Sequence, residues 1–227
     1  MQALIGANIV MFVAQSIFPV LTALLGLHPA WVIHSFWIWQ LVTYMFLHGG
    51  LAHILFNMLA LWMFGTELER LWGTPAFVRY YFACGIAAAV TSVVIAIVPL
   101  AFTARLAYLG TPIIGASGAI YGLLLAYGLT FPNRPIYMYL VFPIPAKYFV
   151  MIMGGIELLL STGDSGGVAH VTHLGGLVAG YALLRGRTLR PADEVRYRYL
   201  KWKMDRARKR FGVYSGGRKD DWDKHVH

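Results

Sequence analysis

The sequence predicts an all-α polytopic membrane protein, and three observations lead there. Of 227 residues, 58% are hydrophobic and only 13% charged, with a mean hydropathy of +0.60. A soluble domain carries about a quarter charged residues. No Asp, Glu, Lys or Arg precedes Glu67. The net charge of +9 lies almost wholly at one end, with 14 Lys/Arg against 6 Asp/Glu from Arg185 onward. That segregation assigns the basic balance to a tail, not to a nucleic-acid-binding face, and no nucleic-acid partner is expected. A single cysteine, Cys84, excludes an intramolecular disulfide framework and argues against a cysteine-based zinc site. The first apolar stretch is too long for a cleavable signal peptide and lacks a basic region before it, so none is expected.

Charges and Pro/Gly clusters divide the chain into six expected spans: Gln2–Leu25, Ala52–Leu68, Ala76–Val98, Gly115–Phe131, Tyr148–Ser161 and Ala169–Leu184. Each is apolar enough to lie in hydrocarbon, where a straight span needs roughly 20 residues. Between the first two lies a long uncharged loop with Trp31, Phe36, Trp37 and Trp39. Its length and aromatic content predict a segment that dips into the outer interface. The fourth span is bounded by Pro112 and Gly115 on one side and Pro132 on the other. Its roughly 24 Å of helix falls short of a ~30 Å core. Its start is therefore expected below the membrane surface, with non-helical backbone above it, which only a protein interior or trapped water tolerates.

Basic residues set the orientation. Arg70 and Arg79 lie between spans two and three, Arg134 and Lys147 between four and five, and the basic tail follows span six. The opposite loops hold only Arg105. Both termini are expected to be cytoplasmic. The predicted domains are residues 1–187 in the membrane and 188–227 as a basic cytoplasmic tail. In the tail, Tyr197, Leu200, Met204, Ala207 and Phe211 form a helical stripe among Lys/Arg. That pattern suits attraction to anionic membrane lipids or a solvated juxtamembrane helix.

Polar residues inside the membrane are costly and cluster where function is. Here three separate spans carry them at one expected depth, the outer half. Span two has His53 and Asn57, with His48 just before it; span four has Ser117 near its start; span six has His170 and His173. Ser117 and Tyr121 share a helix face, beside the small pair Gly118 and Gly122. His173, Gly176 and Gly180 form a second stripe. Packing the two glycine faces together would bring Ser117 to His173, a base able to take the serine proton. With no acid at a matching position, the expectation is a Ser–His dyad with Tyr121 orienting the imidazole. His53, Asn57 and the Ser117 N–H would stabilise an oxyanion.

The segments His48-x4-His53-x3-Asn57, Gly115-x-Ser117-Gly118-x2-Tyr121 and His170-x2-His173-x2-Gly176-x3-Gly180 resemble those of the rhomboid family of intramembrane serine proteases. Glu69-Arg70 followed by Gly73 matches as well. The resemblance runs from about residue 36 to 184 and implies a six-helix rhomboid-like bundle. It implies Ser117 as nucleophile, His173 as base, Tyr121 stacked beneath it, His53 and Asn57 at the oxyanion, and His48 tying the outer loop to the core. The implied substrates are transmembrane segments of other membrane proteins, cut without metal or cofactor. The implied location is the cell membrane, as a multi-pass protein of a bacterial inner membrane.

Other readings stay open at this level. His170 competes with His173 as base, and His48, His53, His170 and His173 compose a conceivable metal set. Glu157 is an intramembrane carboxylate, read as a neutral, hydrogen-bonded structural group or as a coupling group of a transporter. The Ser161–Gly167 stretch reads as a plain connector or a gate. The alternative function is a catalytically silent rhomboid-like protein that binds client transmembrane helices.

Overall fold

The computed structural model describes residues 1–97, 112–138, 142–161 and 167–188, with 202, 203 and 206 beyond them. The Gly-rich stretch 162–166, Arg105 and most of the basic tail lie outside the described residues. The chain separates into two compact units, Met1–Arg185 and Gly186–His227. In the second, Arg206 stands over the Trp202 ring at 5.1 Å, one helical turn away.

The first unit is predominantly helical. The apolar stretch expected as one span is two helices, α1 (Gln2–Ile17) and α2 (Val20–Leu25). The break falls at Phe18–Pro19, because Pro19 has no N–H to give the Gln15 carbonyl and its ring collides with that carbonyl. Two short helices, α3 (Pro29–Ser35) and α4 (Gln40–Thr43), and a 3-10 turn at Tyr44–Phe46 fill the long first loop. Proline at the first position of α3 suits a helix start. Gln40 is fully buried and staples this loop: its Oε1 accepts the His28 N–H at 2.9 Å, and its Nε2 donates to the Leu24 carbonyl at 3.3 Å.

Two long helices follow, α5 (Leu51–Trp72) and α6 (Thr74–Ile97), separated only by Gly73 at φ +77. Both are long and apolar enough to cross a membrane. Helix α7 (Ser117–Thr130) is apolar but spans only 14 residues, about 21 Å, and begins at Ser117 itself. Helices α8 (Ala146–Leu160) and α9 (Gly167–Thr188) complete the set. The all-α expectation needs one correction. Pro135–Met138 (β1) and Phe142–Pro145 (β2) pair antiparallel, with Ile136 opposite Ile144. Prolines 135, 143 and 145 preclude a helix here, and a two-stranded ribbon has edges that tolerate missing N–H donors. Arg134, just before β1, pairs with Glu67 near the end of α5, so the hairpin lies at that end of the bundle.

Helix α7 is the buried axis. Its Gly118, Ala119, Ile120, Gly122, Leu123, Leu124, Ala126, Tyr127 and Gly128 are all buried. On one side α6 presses in: a Cβ on Gly122 would lie 2.5 Å from Cys84 Sγ, and one on Gly118 would lie 2.7 Å from Ala88 Cβ. On another, α9 approaches so closely that a Cβ on Gly176 would fall 1.9 Å from the Gly118 carbonyl oxygen. A Cβ on Gly180 would lie 3.0 Å from Gly122 Cα. The small residues allow backbone-to-backbone packing, with dispersion contacts along the whole seam. The Tyr80 hydroxyl donates to the Gly122 carbonyl at 3.0 Å, and Ser92 and Thr172 hydroxyls meet at 2.6 Å, adding polar ties between α6 and its neighbours.

Gly176→Ala is therefore expected to lower stability by about 3 kcal/mol, since main chain must shift to admit the methyl. Gly155→Ala on α8, where a Cβ meets only open space, should be neutral. Thermal unfolding midpoints of the two variants in detergent check the contrast.

Candidate active site

The α7–α9 seam decides what stands at the head of α7. Ser117 is the first residue of that helix, and His173 projects from α9 one turn before Gly176. Ser117 Oγ lies 2.7 Å from His173 Nε2. The Tyr121 ring, one turn below Ser117, stacks on the His173 ring with centroids 4.5 Å apart and planes 15° from parallel. His173 keeps 17% side-chain exposure, so the pair is not sealed inside the protein. Because Ser117 opens its helix, its N–H has no intrahelical acceptor and points out of the helix end, toward which the helix dipole is positive.

The backbone entering α7 carries Gly115 at φ +126, a conformation open to glycine alone. Its N–H donates to the Tyr44 carbonyl at 2.9 Å. A Cβ there would lie 2.9 Å from His53 Nε2 and 3.6 Å from Ser117 Oγ, so the missing side chain leaves a cleft between them. His53 Nδ1 accepts the Gly49 N–H at 3.2 Å, which leaves the ring proton on Nε2, facing that cleft. Asn57 is buried and its Nδ2 donates along its own helix to the His53 carbonyl at 2.8 Å, fixing the turn that holds His53. His48 is buried with its ring edge-on to His53 at 5.1 Å. Burial pushes the His48 imidazole down to about 4, His53 adding in the same sense, so it is neutral at pH 7. Its backbone is clamped by Gln15 of α1, whose amide donates to the His48 carbonyl at 2.5 Å and accepts its N–H at 3.0 Å.

The structure thus joins Ser117, His173 and Tyr121 and sets His53 across a narrow cleft. Gly118, Gly176 and Gly180 all lie in the packed seam. His170 points away from the serine: its Nδ1 lies 2.6 Å from Glu157 Oε2. Sequence reasoning missed Gln15, and it named Glu157 without its place beside His173. Gln15 is a polar amide within a 24-residue apolar stretch, and that was the available signal. Glu157 is the more consequential. It is buried on α8, accepts a hydrogen bond from the Tyr121 hydroxyl, and places Oε1 3.0 Å from His173 Nδ1. That last contact is at ion-pair distance, off the line of a hydrogen bond. An acid does stand beside His173, contrary to the expectation. With Tyr121, His170 and His173 all directed at it, an acceptor-only, ionised carboxylate fits better than the neutral group expected.

Among the described residues, the one set of three potential metal ligands is Glu157, His170 and His173, with ligand atoms within 4.8 Å of one another. It differs from the four-histidine set open at the sequence level. Within it, Glu157 lies 2.6 Å from His170 Nδ1 and 3.0 Å from His173 Nδ1.

A family model described as Rhomboid domain matches residues 35–188. The rhomboid protease GluP of Bacillus subtilis (strain 168) is 34% identical over 145 residues, 63% of this chain and 25% of that protein. Rhomboid protein 1, mitochondrial, of Saccharomyces cerevisiae is 34% identical over 138 residues, 60% of this chain and 38% of its own length. RHOMBOID-like protein 4 of Arabidopsis thaliana is 29% identical over 182 residues, covering 78% and 41%. The chain spans about a quarter to two fifths of the length of these relatives.

Gly115→Ala tests the cleft. Forcing an alanine to φ +126 and against His53 should cost about 1–3 kcal/mol, read as a lower unfolding midpoint in detergent.

Proposed function

The chain belongs to the rhomboid family, and from that premise we propose that it is an intramembrane serine protease acting on transmembrane segments of other membrane proteins. The observation that carries the reading is the 2.7 Å contact between Ser117 Oγ and His173 Nε2, shared between α7 and α9 and braced by Tyr121.

The chemistry follows from the groups present. Ser117 Oγ attacks a peptide carbonyl as its proton passes to His173 Nε2; the Oγ–C bond forms and the carbonyl electron pair moves onto oxygen. The Ser117 N–H and His53 Nε2–H, on opposite sides of the Gly115 cleft, are the donors for that oxyanion. Collapse breaks the C–N bond, and the Nε2 proton goes to the leaving amine. Water then attacks the acyl-enzyme, giving its proton to Nε2. The Oγ–C bond breaks and Ser117 regains its proton. Asn57 supports the oxyanion side by holding His53.

In this reading α1, α5, α6, α7, α8 and α9 are six spans. The basic residues around Arg70, Arg134 and the tail favour both termini on the cytoplasmic side, and the membrane of this reading is a bacterial inner membrane. Ser117 then opens from the outer leaflet side, where water enters. A substrate helix has its carbonyls bonded internally, so it must unwind locally before one can reach Ser117, and helix-weakening residues favour cleavage. The basic tail contributes attraction to anionic lipid at about 1 kcal/mol per residue near the surface.

Two measurements check this. A serine-directed fluorophosphonate should label the detergent-solubilised protein at Ser117. Ser117→Ala should abolish labelling and lower cleavage of a transmembrane peptide by at least about a thousandfold with an unchanged unfolding midpoint. Cleavage that survives this substitution would falsify the reading.

A further inference from the structure

We propose that Glu157 is the positioning carboxylate of His173, so that the reacting unit is a serine, a histidine and a glutamate drawn from three helices. The inference rests on the proposed function above.

Three observations support it. Glu157 is buried, flanked along its own helix by the apolar Ile156 and Leu158, and a buried carboxylate persists only with partners. Its two oxygens divide the work: Oε1 takes the Tyr121 hydroxyl and faces His173 Nδ1 at 3.0 Å, while Oε2 faces His170 Nδ1 at 2.6 Å. Tyr121 is also the ring stacked on His173, so one carboxylate braces both the base and the group beneath it. With Nε2 turned to Ser117, the proton of the neutral imidazole belongs on Nδ1, and a carboxylate at Nδ1 selects that tautomer. When Ser117 gives up its proton, His173 becomes an imidazolium. Coulombic attraction to a carboxylate at 3.0 Å does not require a linear hydrogen bond. The titratable groups facing His173 are Glu157 from α8, Tyr121 from α7, His53 from α5 with His48 behind it, and His170 one turn earlier on α9. Of these only Glu157 brings negative charge at neutral pH.

The test compares detergent-solubilised wild type, Ser117→Ala, Glu157→Gln, Glu157→Asp and His170→Gln on one transmembrane peptide from about pH 5 to about pH 9. Glu157→Gln should lower kcat by about 10- to 100-fold with KM within about twofold, because the lost attraction acts on the charged base. The acid limb of its rate profile should move down by about one pH unit. Glu157→Asp should recover part of kcat and leave the limb near its wild-type position. His170→Gln should leave the limb in place. An unmoved limb in Glu157→Gln, whether or not kcat falls, overturns the inference, since a merely structural role would lower yield and midpoint alone. A limb that shifts equally in His170→Gln overturns it too. Should Glu157→Gln not fold, the wild type decides. Nitrogen-15 shifts of the resting His173 ring should show its neutral form protonated at Nδ1, the tautomer that a carboxylate there selects, and a neutral ring protonated at Nε2 overturns the inference. Cleavage retained by Ser117→Ala instead defeats the proposed function, an outcome separate from any behaviour of the Glu157 variants.

Discussion

The contact between the Gly118 carbonyl and Gly176 governs the rest of the molecule. Two backbones lie so close there that no side chain fits between them, and this fixes α9 on α7 in height and in rotation. His173 is three residues before Gly176, and Ser117 one residue before Gly118. Once the glycines meet, the imidazole and the hydroxyl have little freedom to miss each other. The site's precision comes from the absence of side chains at the seam, which leaves nothing compressible to absorb a shift.

Around that seam the protein stacks supports in order of distance. Cys84 and Ala88 of α6 hold α7 from behind, and the Tyr80 hydroxyl anchors the Gly122 carbonyl. The Tyr44 carbonyl takes the Gly115 N–H, and Gln15 clamps the backbone of His48. These polar groups are each satisfied within the protein. In an apolar surrounding an unpaired one would cost several kcal/mol.

Much of the site was legible because helical periodicity converts spacing into faces. Ser117 with Tyr121, and His173 with Gly176 and Gly180, are intervals whose geometry is fixed within one helix, and glycine marks where two helices touch. What spacing cannot give is the azimuth of a third helix. Glu157 lies on α8, and whether it faced lipid or α7 depended on the rotation of α8, which its largely apolar surface does not encode. Pro19 was obscured for a different reason: the residues around it are apolar on both sides, so hydropathy runs through the break. The prolines near β1 and β2 marked where helix must stop, but proline spacing carries no information on strand register.

Helix α8 differs from α7 in what holds it. Gly155 adjoins open space, and Met151, Ile152, Leu158 and Leu159 face outward, yet Glu157 on the same helix reaches His173. Hydrogen bonds and ion pairs fade beyond about 3.5–4 Å. Any sideways excursion of α8 by little more than an ångström therefore strips the carboxylate from His173 and the hydroxyl of Tyr121 together. A helix with an open outer face therefore carries the charge nearest His173.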